Sequence, residues 1–503
     1  MKNEDIQQRR SGILLHPTSL PGNHGIGDIG PELYRFIDYL HKNGQTLWQI
    51  LPLGPTGYGN SPYQCFSAFA GNPLLISPQI LIQMDLLTKH DSTPPKFSNK
   101  SRIEYESVIA YKQKIIEIAY RNYTQKADPT LEAELNNFID AHGYWLNEFA
   151  LFMSLKKANN MKSWIEWETS FKKREPYTIA KWIENNTYDI ELFKFSQFLF
   201  FKQWEMAKNY AKQRNVKIVG DIPIFVAYDS ADVWSNPDLY FLDDEGELLF
   251  VAGVPPDYFS ETGQRWGNPL YRWDEMKKNG YEWWVKRIEH NLEQVDILRI
   301  DHFRGFESFW QISAEEETAV EGKWIKGPGI EFFKELNKEL GKLPIIAEDL
   351  GVITPEVEKL LKETGFPGMN VVQFAFGDDN DKYTENKYLP HNVVQNSIVY
   401  TGTHDNQTTL AWFNNLSAEL RKQVLEYTES SEKDIVGDLI KLAWGSAANM
   451  AVIPLQDLLR LGIEARMNTP GTTGNNWEWR YSWNQEMERR GKEIFKLTTL
   501  YER

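Results

Sequence analysis

The chain has 503 residues and one cysteine, Cys65, which excludes an intrachain disulfide and any zinc or iron–sulfur site built from four cysteines. Its 55 basic and 70 acidic residues give a net charge of −15, and it lacks the basic stripe expected of a nucleic-acid-binding protein. The negative charge also disfavours anionic membranes and polyphosphate substrates, so a neutral substrate fits better.

The N-terminus and the hydropathy pattern predict a cytoplasmic protein. The chain begins MKNEDIQQRR, which is polar and charged, and no apolar segment typical of a secretory signal peptide follows. No run approaches the roughly 18 apolar residues of a membrane span. Aromatic residues make up 14% of the chain, with 18 tryptophans. This excess fits aromatic packing between helices, and it also fits a ligand with flat apolar faces such as a sugar ring.

Eight short apolar segments end abruptly in polar residues, which is typical of strands buried on both faces of a parallel sheet. In chain order they are 12–16, 46–53, 216–221, 295–301, 343–349, 369–376, 396–405 and 449–459. Helical patterns lie between most of them, at 31–44, 282–294 and 354–365, the last with Thr354 as a candidate N-cap. Eight strands that alternate with helices predict an α/β fold, a (β/α)8 TIM barrel.

Two long stretches interrupt this alternation. Residues 75–195 are rich in aromatic residues and predict a mostly helical insertion subdomain. Residues 229–280 predict a second insertion, with a hairpin that turns at 244–246 and a loop at 253–269 that contains glycine and proline. The turn segment DDEGE lacks the ligand spacing of a calcium loop. The whole chain, 1–503, is therefore expected to form a single catalytic barrel domain with two insertions.

Residues 25–30 read GIGDIG and match the GxGxxG pattern of dinucleotide-binding folds. In those folds the pattern follows its strand directly and opens the helix. Here its first glycine comes well after His16, and the second strand lacks the acid that would bind the ribose. A glycine-rich loop at the top of the barrel explains the segment better, and no cofactor is predicted.

Three acidic residues, Asp301, Glu348 and Asp405, lie at the ends of three different predicted strands. Because the C-terminal ends of all barrel strands open onto one face, we expect these carboxylates to converge. Convergence raises the pKa of one carboxyl, as an acid/base pair requires. The alternative is that each acid caps the helix that follows it, which is harder to sustain for three acids with basic neighbours.

Several carboxylates without a serine elbow or a phosphate loop suit the cleavage of glycosidic bonds. One carboxylate attacks the anomeric carbon, a protonated carboxyl protonates the leaving oxygen, and a third acid binds sugar hydroxyls. A metal site is the competing use of such clusters. The sequence has no HExxH motif, and Arg299 would repel a cation next to Asp301, so no metal ligands are predicted.

Seven segments give the chain a resemblance to a known family: HPTSLPGNHGIGDIG, GNSPYQCFSAFAGNP, GDIPIFVAYDSADVW, GVPPDYFSETGQRWGNPLY, RIDHFRGF, AEDLG and GTHDN. The sequence resembles the amylomaltases, the 4-α-glucanotransferases of the retaining α-amylase-like group. The resemblance implies a (β/α)8 barrel with helical insertions and no C-terminal β-sandwich domain. It also implies transfer of an α-1,4-glucan segment to the 4-OH of an acceptor glucan or glucose. The substrates would be malto-oligosaccharides and glucans derived from starch or glycogen.

The same resemblance assigns roles to matching residues. Asp301 would be the nucleophile, Glu348 the general acid/base and Asp405 the stabiliser of the transition state. Retaining chemistry would place the carboxyls of the first two roughly 5–5.5 Å apart. Arg299 would pair with Asp301, and a flexible loop would cover the acceptor side. The residues implied in substrate binding are Tyr63, Ser61, Asp221, Asp257, Gln264, Trp266, Arg299, His302, His404 and Asn406.

Three rival hypotheses stay open on the sequence alone. The first is an α-amylase-like hydrolase that uses the same acids. The second is a noncatalytic glucan-binding protein that uses the aromatic surface. The third is a metal-dependent hydrolase on the same barrel. Cys65 is interpreted as a packed apolar residue, and the oligomeric state is not predicted.

Overall fold

The centre of the protein is a barrel of parallel strands. The computed structural model describes residues 7–126, 128–256, 260–377 and 385–503. The strands in this part of the chain are β1 (Arg10–Leu14), β2 (Leu47–Gln49), β3 (Lys217–Pro223), β4 (Phe250–Val254), β5 (Gln264–Pro269), β6 (Ile297–Asp301), β7 (Ser308–Ser313), β8 (Lys323–Lys326), β9 (Ile345–Ala347), β10 (Gly368–Val371), β11 (Ser397–Tyr400) and β12 (Met450–Pro454).

Eight of these strands follow one another around the barrel in chain order, namely β1, β2, β3, β6, β9, β10, β11 and β12. Their pairings are parallel, and β12 pairs with β1. The ring closes between β9 and β10, where the amide of Ala347 donates to the carbonyl of Pro367 at 3.0 Å. All eight predicted strands are confirmed, and the fold is a (β/α)8 barrel.

Helices surround the barrel and fill the long connections. They are α1 (Pro31–Lys42), α2 (Pro78–Gln83), α3 (Tyr105–Lys126), α4 (Pro129–Ala158), α5 (Thr169–Lys172), α6 (Pro176–Asn185), α7 (Thr187–Gln213), α8 (Ala231–Ser235), α9 (Trp273–Lys278), α10 (Glu282–Gln294), α11 (Gly329–Leu340), α12 (Pro355–Thr364), α13 (Thr409–Asn415), α14 (Ala418–Thr428), α15 (Ile435–Gly445), α16 (Leu455–Leu458) and α17 (Gln485–Leu500). The three predicted helices are confirmed as α1, α10 and α12. Among the described residues, no helix combines the length and apolar character needed to cross a bilayer.

The described residues after β12 form helices and connecting segments. After β12 the described chain continues in α16, α17 and short connections, without a β-sandwich domain. Helix α12 starts at Pro355 and ends before Gly365, whose φ of +69° suits a residue without a side chain. Thr354 occupies the N-cap position as predicted, but its hydroxyl makes no capping hydrogen bond.

The aromatic residues between β2 and β3 are mostly core. Trp145, Phe149 and Phe152 on α4 are buried, as are Trp164 and Trp167 in the segment that follows. Most of these aromatic residues therefore pack helices onto the barrel. This supports aromatic packing between helices as the explanation of their excess. The division of 75–195 as a separate subdomain stays a prediction.

A small antiparallel sheet, in the order β5-β4-β7-β8, lies beside the barrel. The predicted hairpin turn is confirmed, because Leu242 and Leu248 form an antiparallel bridge and Gly246 has a φ of +85°. The predicted loop 253–269 is only partly a loop, since Gln264–Pro269 forms β5 and pairs with β4. Strands β7 and β8 were not predicted; they are the next two strands along the chain after β6, which ends at Asp301.

The loop that follows β2 is held against α7 at a position that requires glycine. The amide of Gly71 donates to Oε1 of Gln197 at 2.7 Å, and Nε2 of Gln197 donates back to the Gly71 carbonyl at 3.0 Å. A Cβ on Gly71 would lie 1.9 Å from the fully buried ring of Phe200. This contact fixes the C-terminal end of the loop that carries Tyr63.

Gly71→Ala should lower the free energy of unfolding by about 1–3 kcal/mol, because the methyl group overpacks a rigid contact. Gly143→Ala is the matched control, because Gly143 lies inside α4 and its Cβ would meet the flexible amide of Asn147 at 3.3 Å. The control should be stabilised by about 0.5–1 kcal/mol through helix propensity. Thermal unfolding of both variants measures the difference. If the unfolding midpoints of Gly71→Ala and Gly143→Ala shifted in the same direction, the loop would not depend on the close approach of Gly71 to Phe200.

Candidate active site

The predicted acids meet at the C-terminal end of the barrel. Asp301 is the last residue of β6, Glu348 follows β9 directly, and Asp405 lies in the loop after β11. A cleft of about 1480 Å³, open to solvent, lies on this face. Its walls include Ser61, Tyr63, Gln264, Trp266, Asp301, His302, Asp405, Asn468 and Trp477.

Arg299 is the electrostatic centre of the site. It is buried on β6, and its guanidinium binds both carboxylate oxygens of Asp221 at 2.6 and 2.7 Å. A second nitrogen of the same group donates to Oδ1 of Asp301 at 2.7 Å. Burial raises the pKa of Asp221 and Arg299 opposes this effect, while the two carboxylates raise the pKa of Arg299 despite its burial. The guanidinium therefore orients the Asp301 carboxylate from the buried side of the site.

Glu348 has a different environment from Asp301. Its side chain is almost buried, with 9% of the residue exposed. One carboxylate oxygen accepts from the amide of His302 at 2.6 Å and the other from the amide of Leu350 at 2.8 Å. Burial, together with the charge of Asp301, raises the pKa of Glu348 to about 8, against the effects of Arg299 and the two amides. Glu348 is therefore protonated at neutral pH, as expected for one member of a converging pair.

The backbone turns sharply just after Asp301. His302 has a φ of +54°, a left-handed conformation that is uncommon for a residue with a side chain. This turn points the His302 amide at Glu348 and its ring at Trp266, with the two rings edge to face at 4.9 Å. Burial lowers the pKa of His302 to about 4, so the imidazole is neutral at physiological pH.

Asp405 faces the cleft more openly than the other two acids. Its side chain is 45% exposed, and Oδ1 accepts from the side-chain nitrogen Nδ2 of Asn468 at 2.6 Å. Nε2 of His404 lies 3.4 Å from Oδ2, and Arg466 donates to the Asp405 carbonyl at 2.7 Å. Asp405 is thus held at the cleft wall with much of its carboxylate accessible.

An aromatic surface lies next to these acids. The ring of Tyr63 stacks on His404 with centroids 5.2 Å apart, and Trp477 packs against both. The Tyr63 hydroxyl donates to Asp221 at 2.7 Å. Burial raises the pKa of the Tyr63 hydroxyl well above its usual value. The Tyr63 amide donates to the Ser61 hydroxyl at 3.2 Å. Tyr63 is thereby rigidly placed at the edge of the cleft.

The remaining predicted residues divide into three groups. Gln264 and Trp266 lie on β5 at the cleft, and the Trp266 indole donates to Gln264 at 3.2 Å. Asn406 uses its side-chain oxygen to accept from the backbone and hydroxyl of Thr403, both at 2.8 Å, and so shapes the turn that carries Asp405. Asp257 lies outside the described residues.

Sequence reasoning missed the segment 466–477. It contributes Asn468 and Trp477 to the cleft and Arg466 to the backbone of Asp405. Its sequence, RMNTPGTTGNNW, has the composition of an ordinary loop, so only its place after the last strand hints at a site. Cys65 donates to the Pro62 carbonyl at 3.0 Å, and burial raises its pKa to about 12, which fits a packed residue and not a nucleophile.

Arg299→Met should lower the free energy of unfolding by about 3–5 kcal/mol, because Asp221 would keep a buried charge without its partner. Adding Asp221→Asn to that variant should recover part of the loss. Arg265→Met, at an exposed position on β5, is the control and should change little. Denaturant unfolding measures all of these variants. Equal free energies of unfolding for Arg299→Met and Arg265→Met would show that the buried ion pair does not stabilise the fold.

Comparison with known proteins gives a consistent result. Residues 15–486 match the family model described as 4-alpha-glucanotransferase. The chain is 48% identical to a 4-alpha-glucanotransferase of Synechocystis sp. over 99% of both chains, and 46% identical to one of Clostridium butyricum over 97% of this chain and all of that one. A solved amylomaltase from Streptococcus agalactiae in complex with acarbose superposes with a TM-score of 0.95 at 37% identity, covering 99% of this chain and 100% of that one. The chain belongs to the 4-alpha-glucanotransferase family.

Proposed function

We propose that this protein transfers α-1,4-glucan segments by a retaining double displacement, with Asp301 as nucleophile and Glu348 as general acid/base. The observation that carries the proposal is the contrast between the two carboxyls. Asp301 is bound to the Arg299 guanidinium, whereas Glu348 is buried, bound to the amide of His302, and has a pKa raised to about 8. Two neighbouring acids in opposite environments are what a nucleophile and a proton donor require.

The first half-reaction makes a covalent intermediate. The Asp301 carboxylate attacks the anomeric carbon while Glu348 gives its proton to the glycosidic oxygen. The bond from carbon to that oxygen breaks, and a β-glucosyl ester of Asp301 forms. The released chain leaves with the proton at its new 4-OH. Glu348 is then an anion.

The second half-reaction runs the same chemistry in reverse. Glu348 takes the proton from the 4-OH of an acceptor, the acceptor oxygen attacks the anomeric carbon, and the ester bond to Asp301 breaks. The product has the same α configuration as the donor. One glycosidic bond is broken and one is made, so the reaction needs no nucleotide, metal or other cofactor. The proposal keeps the expectation of roughly 5–5.5 Å between the two carboxyls.

The neighbouring residues support this chemistry in different ways. Asp405, with much of its carboxylate exposed and Asn468 bound to it, suits hydrogen bonds to sugar hydroxyls that strengthen in the transition state. Tyr63 suits a stacking platform for a sugar ring, backed by His404. Asp221 is buried and bound to Arg299 and Tyr63, so we assign it an indirect role in positioning these two groups.

Transfer has to outcompete hydrolysis, although water is far more abundant than acceptor. Holding the acceptor close to the anomeric carbon raises its effective concentration by orders of magnitude. Gln264 and Trp266 on β5, next to His302, are suited to hold it there, and closure of the loop between β4 and β5 would exclude water. Maltodextrins are the expected donors and acceptors.

Incubation with pure maltotriose tests the proposed activity. The transferase should make glucose together with a ladder of longer chains, because each covalent intermediate is captured by another sugar. Asp301→Asn should abolish both products, and Glu348→Gln should slow them by about 10²–10⁴-fold. Asp274→Asn, on the exposed start of α9, is the control and should behave as wild type.

Three outcomes of the maltotriose experiment would contradict the proposal. Products that are exclusively shorter than maltotriose would indicate a hydrolase. Unchanged activity of Asp301→Asn would remove the nucleophile. Loss of activity in EDTA would favour the metal-dependent alternative.

The pH dependence follows from the proton on Glu348. Because its pKa is raised to about 8, the protonated form needed for the first step predominates below that value and is lost above it. The kcat/KM for maltotriose should therefore fall about tenfold per pH unit on the alkaline side. A pH–rate profile measures this limb, which should be absent in Glu348→Gln. A wild-type rate that rises from pH 8 to 10 would contradict the role of Glu348 as acid.

A further inference from the structure

A second group of titratable side chains lies away from the cleft, where α4 meets α10. A ring nitrogen of His142, a ring nitrogen of His290 and a carboxylate oxygen of Glu293 all lie within 4.8 Å of one another. His290 and Glu293 are three residues apart on α10, a spacing that puts them on one face of the helix. His142 reaches the group from α4, and its ring centroid is 5.7 Å from that of His290.

The protonation pattern of His290 follows from its surroundings. The residue is 1% exposed, and Nε2 lies 2.8 Å from the carbonyl oxygen of Phe69. A carbonyl only accepts, so Nε2 carries the proton and donates, which leaves Nδ1 with a free lone pair. Metal-bound histidines are oriented by this same kind of bond from the other ring nitrogen to a backbone carbonyl.

Both imidazoles present a buried nitrogen that lacks a hydrogen bond. Nδ1 of His290 and Nδ1 of His142 are buried, and neither has a partner among the described residues. Unsatisfied buried nitrogens cost about 1–3 kcal/mol each, and Nδ1 of His290 lies next to the Glu293 carboxylate, so a partner shared by this group would satisfy it. Surrounding aromatic rings, including Phe138, Trp145 and Phe201, disfavour protonated imidazoles here.

The third ligand can adjust to complete the group. Oε2 of Glu293 lies 3.9 Å from Nδ1 of His290, and its side chain is 62% exposed. Ligand atoms around a tetrahedral ion with bonds of about 2.0–2.1 Å lie roughly 3.4 Å apart. A small rotation of this exposed side chain closes the difference between Glu293 and His290. His142 and Glu293 also line a solvent-open cleft of about 1090 Å³, through which an ion can enter.

We propose that His142, His290 and Glu293 bind one divalent transition-metal ion, with Zn²⁺ as the type, and leave a fourth position to solvent. Two imidazoles and one carboxylate suit Zn²⁺, Co²⁺ or Ni²⁺, whereas Ca²⁺ and Mg²⁺ prefer oxygen ligands. The bound ion joins α4, within the predicted insertion, to α10 of the barrel. The proposal is independent of the transfer reaction, and it departs from the sequence-based prediction that the chain has no metal ligands.

Metal titration of the full-length protein, free of any histidine tag and first treated with EDTA, tests the site. Calorimetry with Zn²⁺ should give one ion per chain, and Co²⁺ should develop the intense visible absorption of a four-coordinate site. Glu293→Gln should weaken Zn²⁺ binding by more than about tenfold. Loss of a residue that only hydrogen-bonds to a metal ligand already weakens binding by about that factor, and Glu293 is proposed as a ligand itself. Glu289→Gln removes the same charge from an exposed position on α10 and should bind Zn²⁺ as wild type does.

Thermal unfolding gives a second readout. Saturating Zn²⁺ should raise the midpoint of wild type and of Glu289→Gln, but not that of Glu293→Gln or His142→Gln. The proposal is overturned if wild type takes up no ion, or if all variants bind Zn²⁺ equally well through surface histidines. A weak, octahedral Co²⁺ spectrum would also overturn it.

Discussion

The site depends on one interaction, the binding of the buried Arg299 guanidinium to the carboxylates of Asp221 and Asp301. In the pairing of β3 with β6, Asp221 lies beside Arg299 and Pro223 beside Asp301. Residues two apart on a strand share a face, so Arg299 and Asp301 point the same way, and Asp221 meets the guanidinium across the strand pair. The register of two central strands thus sets the position of Asp301, the proposed nucleophile. An arginine is needed, since its planar fork can bind two carboxylates at once.

The site separates rigid from adaptable parts. The proposed nucleophile and the proposed general acid/base stand on or directly after barrel strands, where backbone hydrogen bonds hold them. Other residues that line the cleft come from connections: Tyr63 after β2, Trp266 on the small sheet, and Asn468 in the segment after β12. In barrels of this kind the strand ends carry the chemistry, while the connections adapt the site to its substrate.

The sequence predicted the barrel well because its strands are buried on both faces and therefore appear as continuous apolar runs. The acids at their ends were visible for the same reason. Strand β8, with the exposed sequence KWIK, carries no such run, and only a short helical turn, Phe303–Phe306, separates Asp301 from β7. Asn468 and the pair of His142 with His290 depend on contacts between distant segments, which local pattern does not encode. The roles of individual residues came from family resemblance and stay predictions.

Trapping the covalent intermediate tests the central claim most directly. A maltosyl fluoride donor does not need an acid to release fluoride, so Glu348→Gln should still form the ester but lack the base that lets an acceptor resolve it. Mass spectrometry of the digested protein should then find one maltosyl group on the peptide that contains Asp301. A group on the peptide of Asp405 or Asp221, or no adduct while fluoride is still released, would contradict the account.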